Sequence, residues 1–196
     1  MYSFIKGEVV ELNGNTLVVE NNGIGYEIIA SKSCMSGVKV GQQAKIFTYL
    51  AISQDDVRVF GFAQSQEKNM FLKLTGISGI GPKSAIDILS GIDLPALVLA
   101  IYNGDVKTLS KIKGVGKKSA ERIILELKDK MAVDSATAQA DTSYEREDAL
   151  QKVNQDAVSA LMTFGLNKNE AIQSVKRVQK DGMSVEHIIF KALQQG

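Results

Sequence analysis

One pattern occurs twice in this 196-residue sequence and restricts the fold more than any other feature. Residues 74–89 read LTGISGIGPKSAIDIL, and residues 109–124 read LSKIKGVGKKSAERII. Corresponding positions are 35 residues apart, and both copies share a leucine, an isoleucine, a Gly-x-Gly and a Lys-Ser-Ala. The apolar residues that follow each Gly-x-Gly have helical spacing. The sequence therefore predicts two copies of one unit, made of a helix, a tight glycine turn and a second helix.

Each glycine turn is predicted to form an anion site. Ile80 and Val115 lie between two glycines, so a buried apolar side chain would hold the turn while the glycines allow another backbone to approach closely. Helices are predicted to begin near Pro82 and Lys117, where free N–H groups would attract a phosphate. The predicted phosphate-binding residues are Ser78, Gly79, Gly81, Lys83, Lys113, Gly114, Gly116, Lys117 and Lys118.

A single copy would also suit a helical hairpin in which the glycines serve packing alone. Two copies that share lysines favour phosphate binding, and the pattern resembles the helix-hairpin-helix motif of DNA-binding proteins. That resemblance implies binding to the backbone of duplex DNA without readout of the bases. A Walker A loop is excluded because Lys111 occupies the position of its first glycine.

Charge is concentrated in the segment that carries the repeat. Residues 64–132 contain 11 basic and 7 acidic side chains, a net charge of +4, whereas the whole chain has a formal net charge of +1. A polyanion is therefore expected to bind this segment. One cysteine and one histidine cannot form an intramolecular disulfide or a Cys/His metal cluster, so neither a metal nor a cofactor is predicted. The sequence shows no signal peptide or membrane-spanning run, and a cytoplasmic location is expected.

The first 63 residues predict a small barrel. Segments 2–12, 15–20, 24–30, 45–52 and 57–62 are rich in β-branched and aromatic residues, and Asn-Gly pairs separate the first three. Five short strands with glycines at the bends are typical of an OB-like barrel. Asp55 and Asp56 lie between the last two strands, where a solvated turn is the simplest interpretation. Two carboxylates near DNA would, however, repel phosphates.

Helical patterns follow to the end of the chain. Helices are predicted over 67–74, 83–89, 94–102, 105–109 and 117–131, then over 149–164, 168–180 and 184–194. The predicted domains are an OB barrel at 1–63, a tandem helix-hairpin-helix domain at 64–132, a flexible acidic linker at 133–148 and a three-helix bundle at 149–196. The fold class is thus multidomain α+β. The turn at 164–167 is similar to the loop of ubiquitin-associated domains, which bind peptides.

In order and length these parts resemble the RuvA family of Holliday-junction-binding subunits over all 196 residues. The doubled hairpin carries the resemblance, together with Asp55 and Asp56 ahead of the run VRVFGF at 57–62. The resemblance implies a homotetramer with fourfold symmetry that binds four-way junction DNA in recombination and DNA repair. It leaves open whether a second tetramer covers the opposite face of the junction. Asp55 and Asp56 would form a central acidic pin between separating strands.

The resemblance also implies protein partners. Because no catalytic constellation is present, the chain would be a non-catalytic subunit, and the hexameric ATPase RuvB would drive branch migration. The terminal bundle would dock this motor, with Leu161, Phe164 and Ile189 as candidate contacts, although these three also suit a core. The junction resolvase RuvC is a further expected partner.

Two other functions compete with this hypothesis. A DNA glycosylase has a catalytic aspartate about twenty residues after a helix-hairpin-helix, and Asp134 falls near that distance from Gly116. It lies, however, in the predicted linker, without a surrounding helix or a base pocket. An adaptor that binds generic duplex DNA for a nuclease would need only the hairpins.

Overall fold

The computed structural model describes residues 2–138, 154–180 and 183–194. Its first part is a closed five-stranded barrel with strand order β1-β2-β3-β5-β4, which confirms the predicted OB-like barrel. All neighbouring strands are antiparallel except β3 and β5, which pair in parallel through Ile29–Phe60 and Ala30–Gly61. The strands are β1 (Phe4–Asn13), β2 (Thr16–Asn21), β3 (Ile24–Ala30), β4 (Gln43–Ile52) and β5 (Val57–Phe62).

The turn between β2 and β3 illustrates why β3 begins where the sequence predicts. Asn22 and Gly23 have φ values of 51° and 82°. A two-residue turn with positive φ at both positions matches the twist of the flanking strands, and Asn-Gly is the pair that adopts it most readily. The predicted bounds of β3 and β5 are accordingly confirmed to the residue.

The first helix of the repeat is anchored on the barrel by one aromatic ring. Helix α1 (Lys32–Ser36) connects β3 to β4, and α2 (Ser65–Thr75) follows β5. Phe71 of α2 is fully buried, and its ring centroid lies 5.2, 5.4 and 4.9 Å from those of Tyr49, Phe60 and Phe62. Aromatic pairs at these distances add to the burial of apolar area. Phe71 thus fixes the first hairpin to the barrel.

Phe71→Ala should lower the free energy of unfolding by about 3–5 kcal/mol, the usual cost of removing a fully buried aromatic side chain. Leu72→Ala is the matched control, since the adjacent Leu72 is 40% exposed and should cost about 1 kcal/mol or less. Chemical denaturation followed by circular dichroism measures both. Equal losses in the two variants would contradict the anchoring role of Phe71.

A buried polar cluster ties α1 to α2. The Glu67 carboxylate accepts hydrogen bonds from the Ser33 hydroxyl at 2.8 Å and from the Ala63 N–H at 3.1 Å. Cys34 is buried beside it, and burial, followed by the charge of Glu67, raises the pKa of the thiol to about 12 from its ordinary value of 9.0. Cys34 therefore stays a protonated thiol at neutral pH, as a structural residue would.

The remaining described chain is helical. The helices are α3 (Pro82–Gly91), α4 (Leu94–Asn103), α5 (Val106–Ser110), α6 (Lys117–Ala138), α7 (Gln155–Thr163), α8 (Lys168–Val178) and α9 (Val185–Gln194). The chain divides into two compact units: Met1–Asp93 with Ile112–Gly114, and Leu94–Lys111 with Val115–Gly196. Within the second unit α9 packs against α4 and α7 packs against α6. The division into four segments expected from the sequence stays a prediction.

Helix α6 differs from the sequence-based expectation. It was predicted to end at Met131, before a flexible linker, but it continues to Ala138. Alanines at 132, 136 and 138 favour helix, and neither glycine nor proline interrupts the segment. The beginning of the predicted linker is therefore helical, and 139–148 lies outside the described residues. Asp134, the aspartate of the glycosylase hypothesis, consequently lies within a helix.

No single helix in the described ranges is long and apolar enough to cross a membrane, and only the consecutive α3 and α4 taken together reach that length and composition.

Candidate nucleic-acid interface

The first glycine turn joins α2 to α3 with its apolar residues inward. Ile77 and Ile80 are buried, and the Ile80 N–H donates to the Ile77 carbonyl at 3.0 Å. Gly79 has a φ of 86°, a conformation in which other residues are strained. Gly81 is the N-cap of α3, and no side chain caps the first turn of this helix. The free N–H groups at the start of α3 therefore face outward, where an anion can accept from them.

The second turn, between α5 and α6, repeats this geometry. Ile112 and Val115 are buried, and Gly114 has a φ of 84°, close to that of Gly79. The Ala120 N–H donates to the Gly116 carbonyl at 2.9 Å, as the Ala85 N–H donates to the Gly81 carbonyl at 2.9 Å in the first copy. The sequence repeat is thus also a repeat of backbone structure.

A capping aspartate holds the short helix before the second turn. The Asp105 carboxylate accepts hydrogen bonds from the Thr108 hydroxyl at 2.6 Å and from the Thr108 N–H at 3.0 Å. These bonds lower the pKa of Asp105, with the hydroxyl contributing most. Folding is therefore favoured by this carboxylate above its ordinary pKa, and the contribution disappears as the pH falls through the lowered value.

Gly81 and Gly116 have no role in the packing of the chain itself. A Cβ atom built on either would meet no protein atom within 4 Å. Neither residue has a positive φ; that of Gly81 is −83°. Neither space nor backbone conformation therefore requires glycine at these positions. A close approach by the backbone of a ligand would favour glycine at both positions.

The predicted lysines surround the turns in exposed positions. Lys83, Lys113 and Lys118 are exposed, and none of them has an ion pair with another described residue. The Lys117 ammonium lies 3.9 Å from the Glu121 carboxylate, and both side chains are largely exposed. Such a pair contributes little stability. Ser78 is also exposed, at the tip of the first turn. All nine predicted phosphate-binding residues therefore lie in or beside the two glycine turns.

The acidic loop projects from the barrel between β4 and β5. The loop is closed by the Ser53 N–H, which donates to the Asp56 carbonyl at 2.8 Å. Asp55 and Asp56 are both exposed, but the Asp56 carboxylate accepts a hydrogen bond from the Arg58 guanidinium. Asp55 has no ion pair within the described chain. The two carboxylates thus differ, because Arg58 partly balances only one of them.

Arg58 was not among the residues singled out from the sequence. Asp56 and Arg58 are two residues apart at the start of a strand, so their side chains point to the same face. The alternation of side chains along a strand is the sequence signal that could have identified Arg58 as the partner of Asp56. Any function that requires two free carboxylates in the loop must account for Arg58.

The three candidate motor contacts lie in the core of the terminal helices. Leu161, Phe164 and Ile189 are fully buried, among α7, α8 and α9. In this arrangement none of these side chains can touch the surface of another protein. They are therefore core residues of the bundle, and any contact with a motor through them would need the bundle to open.

Comparisons with protein families cover most of the chain. The RuvA N terminal domain matches residues 1–61, the SAM-like helix-hairpin-helix tandem matches residues 71–129, and the RuvA C-terminal domain matches residues 152–195. Two curated relatives carry the name Holliday junction branch migration complex subunit RuvA. The one from Acetivibrio thermocellus is 41% identical over 197 aligned residues, covering 99% of this chain and 98% of the relative. The one from Alkaliphilus metalliredigens is 39% identical over 193, covering 98% and 97%.

Proposed function

Because this chain belongs to the RuvA family, we propose that it binds four-way DNA junctions independently of sequence and serves a separate ATP-driven motor during branch migration. The curated relatives are named as subunits of a Holliday junction branch migration complex. The chain itself would be the non-catalytic subunit of such a complex, acting in recombination and DNA repair in the cytoplasm.

One observation carries the binding part of the proposal. Gly81 and Gly116 are glycines that neither the packing nor the backbone conformation of this chain requires. Each precedes a helix start beside an exposed lysine, where N–H groups and positive charge meet. Phosphate contacts of this kind position a protein on DNA without reading the bases. Sequence independence suits a junction that moves, because each step brings new base pairs to the protein.

The assembly that suits a four-way junction is a homotetramer, with one subunit on each arm. The two hairpins of a subunit would hold the backbone of one arm. A second tetramer on the opposite face of the junction would double the number of hairpins on each arm. Native mass spectrometry of the chain alone and with a junction distinguishes a monomer, four copies and eight copies.

The acidic loops would meet at the centre of this tetramer. Four copies of Asp55 would repel phosphates there and direct the separating strands outward. Asp56 would contribute less, because Arg58 balances part of its charge. The loop would thus modulate the binding that the hairpins provide.

Asp55→Asn should retain junction binding but reduce the preference for junction over linear duplex. Asp56→Asn should change that preference less, because its carboxylate is already paired with Arg58. Gel-shift titration of both DNA forms, together with the rate of branch migration, measures the effect. If a variant that carries both substitutions behaved like wild type in both assays, the proposed acidic pin would be contradicted.

We infer that the terminal bundle docks the motor, for which the hexameric ATPase RuvB is the expected partner. The expected junction resolvase is RuvC.

Deletion of 149–196 should abolish stimulation of RuvB while junction binding survives. Junction binding is also the control for folding, since α9 packs against α4 and its removal exposes that helix. Undiminished stimulation would contradict docking through the bundle, and loss of both activities would indicate that the bundle stabilises the second unit.

A further inference from the structure

The barrel carries an aromatic cleft that the hairpins and the acidic loop do not use. Its volume is about 240 Å³, and two of its aromatic side chains, Tyr2 and Phe4, are 53% and 47% exposed. The Tyr2 and Tyr26 rings meet edge to face, with centroids 6.4 Å apart. The cleft is lined by Tyr2, Phe4, Ile5, Lys6, Asn21 and Tyr26. Large rings held half in solvent around a cleft mark a binding surface more often than they mark a core.

The cleft is bordered by positive charge. Lys6 and Lys45 lie directly opposite each other on β1 and β4, and neither has an ion pair within the described chain. Like charges in such a cross-strand pair repel each other. The Lys45 ammonium lies 4.3 Å from the Phe4 ring centroid and 5.0 Å from that of Phe47. Its charge is thus held over one face of the exposed Phe4 ring, and an anion bound there would relieve the repulsion between Lys6 and Lys45.

The cleft opens toward the end of the barrel that carries the acidic loop. In the parallel pair of β3 and β5, Ile29 lies opposite Phe60, so Tyr26 lies toward the same end as Val57, the first residue after the loop. In the antiparallel pair of β1 and β4, Phe4 lies opposite Phe47, so Tyr2 also lies toward the end at which β4 enters the loop. The aromatic rings and the acidic loop thus lie toward the same end of the barrel.

We propose that this cleft binds one unpaired nucleotide of single-stranded DNA. The base would stack on Tyr2 and Phe4, and its phosphate would contact Lys6 and Lys45. Aromatic rings beside a basic groove are the combination with which proteins bind single strands without sequence preference. The volume is smaller than the roughly 300–1,000 Å³ of sites for drug-sized ligands, which suits a single base. The cleft is formed by the barrel alone, whereas its use by strands that separate at a four-way junction rests on the proposed function.

Fluorescence anisotropy of a labelled oligothymidylate, with the full chain, tests the cleft. Tyr2→Ala and Phe4→Ala should each weaken binding by about tenfold, the effect of removing one stacking ring. Both side chains are half-exposed, so the fold should persist. Val40→Ala is the matched control, because Val40 is 60% exposed and does not line the cleft; it precedes Gly41, whose N–H donates to the Val9 carbonyl in the middle of β1. The control should bind as wild type does.

Crosslinking identifies the rings that the bases touch. An oligonucleotide with 5-iodouracil should crosslink on irradiation to Tyr2 or Phe4, located by mass spectrometry of the peptides. Equal oligothymidylate affinity of wild type and both variants, or crosslinks only to other aromatic residues, would overturn the proposal. The proposal would also be overturned if native mass spectrometry showed that the two variants form smaller assemblies than wild type does. The rings would then be a contact between subunits.

The same preparations separate this proposal from the function proposed for the hairpins. Retained binding of a fully paired four-way junction by Tyr2→Ala and Phe4→Ala, with weakened oligothymidylate binding, supports the cleft. A wild-type chain that binds oligothymidylate through these rings but binds no junction would refute the hairpin function and still support the cleft.

Discussion

Serine at positions 81 and 116 should leave the chain folded and remove most of its affinity for DNA. Serine is a favoured N-cap residue, and a Cβ at either position meets no protein atom within 4 Å. The fold should therefore be unchanged or slightly stabilised. The new side chain would occupy the space that a DNA backbone needs, and its hydroxyl would take the N–H groups that a phosphate would bind.

The expected decrease in affinity is large because each subunit has two such turns. A hydrogen bond to a charged group is worth about 1.5–3 kcal/mol, so each turn should cost at least about tenfold in the affinity of one subunit for DNA, and the double variant on the order of 10²-fold or more per subunit. Anisotropy titration with a labelled four-way junction measures the decrease, and thermal unfolding verifies the fold.

Gly114→Ser separates the steric role from the conformational one. Gly114 also has open space for a Cβ, but its φ is 84°, so a serine there is strained by about 1–2 kcal/mol. This variant should lose stability, whereas Gly81→Ser and Gly116→Ser should not. Wild-type DNA affinity in the Gly81→Ser, Gly116→Ser double variant would show that DNA does not approach these turns.

Lys118→Glu should weaken junction and duplex binding together. Lys118 is exposed beside the second turn and has no ion pair in the described chain, so its replacement should not affect folding. One exposed charge pair at 4 Å is worth about 1 kcal/mol, so the four subunits of the proposed tetramer would together lose about 4 kcal/mol, or about 10³-fold in affinity. The slope of log affinity against log salt should fall by about 0.9 for each phosphate that the lysine no longer neutralises.

Lys176→Glu is the control for the change in net charge. Lys176 is equally exposed but lies on α8 in the terminal bundle, away from both turns along the chain. The Lys176→Glu variant should have a junction affinity, and a slope of log affinity against log salt, close to those of wild type. If both variants weakened binding equally, the effect would belong to net charge and not to the hairpin.

The sequence predicts most of the fold because the signals at its element ends are local. Asn22 and Gly23 determine one turn by their own backbone preferences, and the doubled Gly-x-Gly predicts both hairpins. The predicted end of α6 was wrong because residues 132–138 lack large apolar side chains at helical spacing, whereas alanine favours helix without them.

The site was only partly predictable, because exposure depends on neighbours that are distant in sequence. All four turn glycines were identified, but the sequence did not separate Gly79 and Gly114, which have positive φ, from Gly81 and Gly116, which do not and whose Cβ positions are open. From the sequence, Leu161, Phe164 and Ile189 suit both a motor contact and a core, and only the packing of the terminal helices shows that they are buried. The aromatic cleft could not be predicted from the sequence, because β1, β2 and β3 each contribute residues to it and these meet only in the folded barrel.

Junction recognition can be tested by comparing the dissociation constants of a four-way junction and a linear duplex of matched length, at several salt concentrations. If four subunits hold four arms at once, a linear duplex engages fewer of them, and the junction should bind about 10²-fold or more tightly at every salt concentration. Equal affinities for the two DNA forms would show that the chain binds generic duplex and would contradict its assignment as a junction-binding protein.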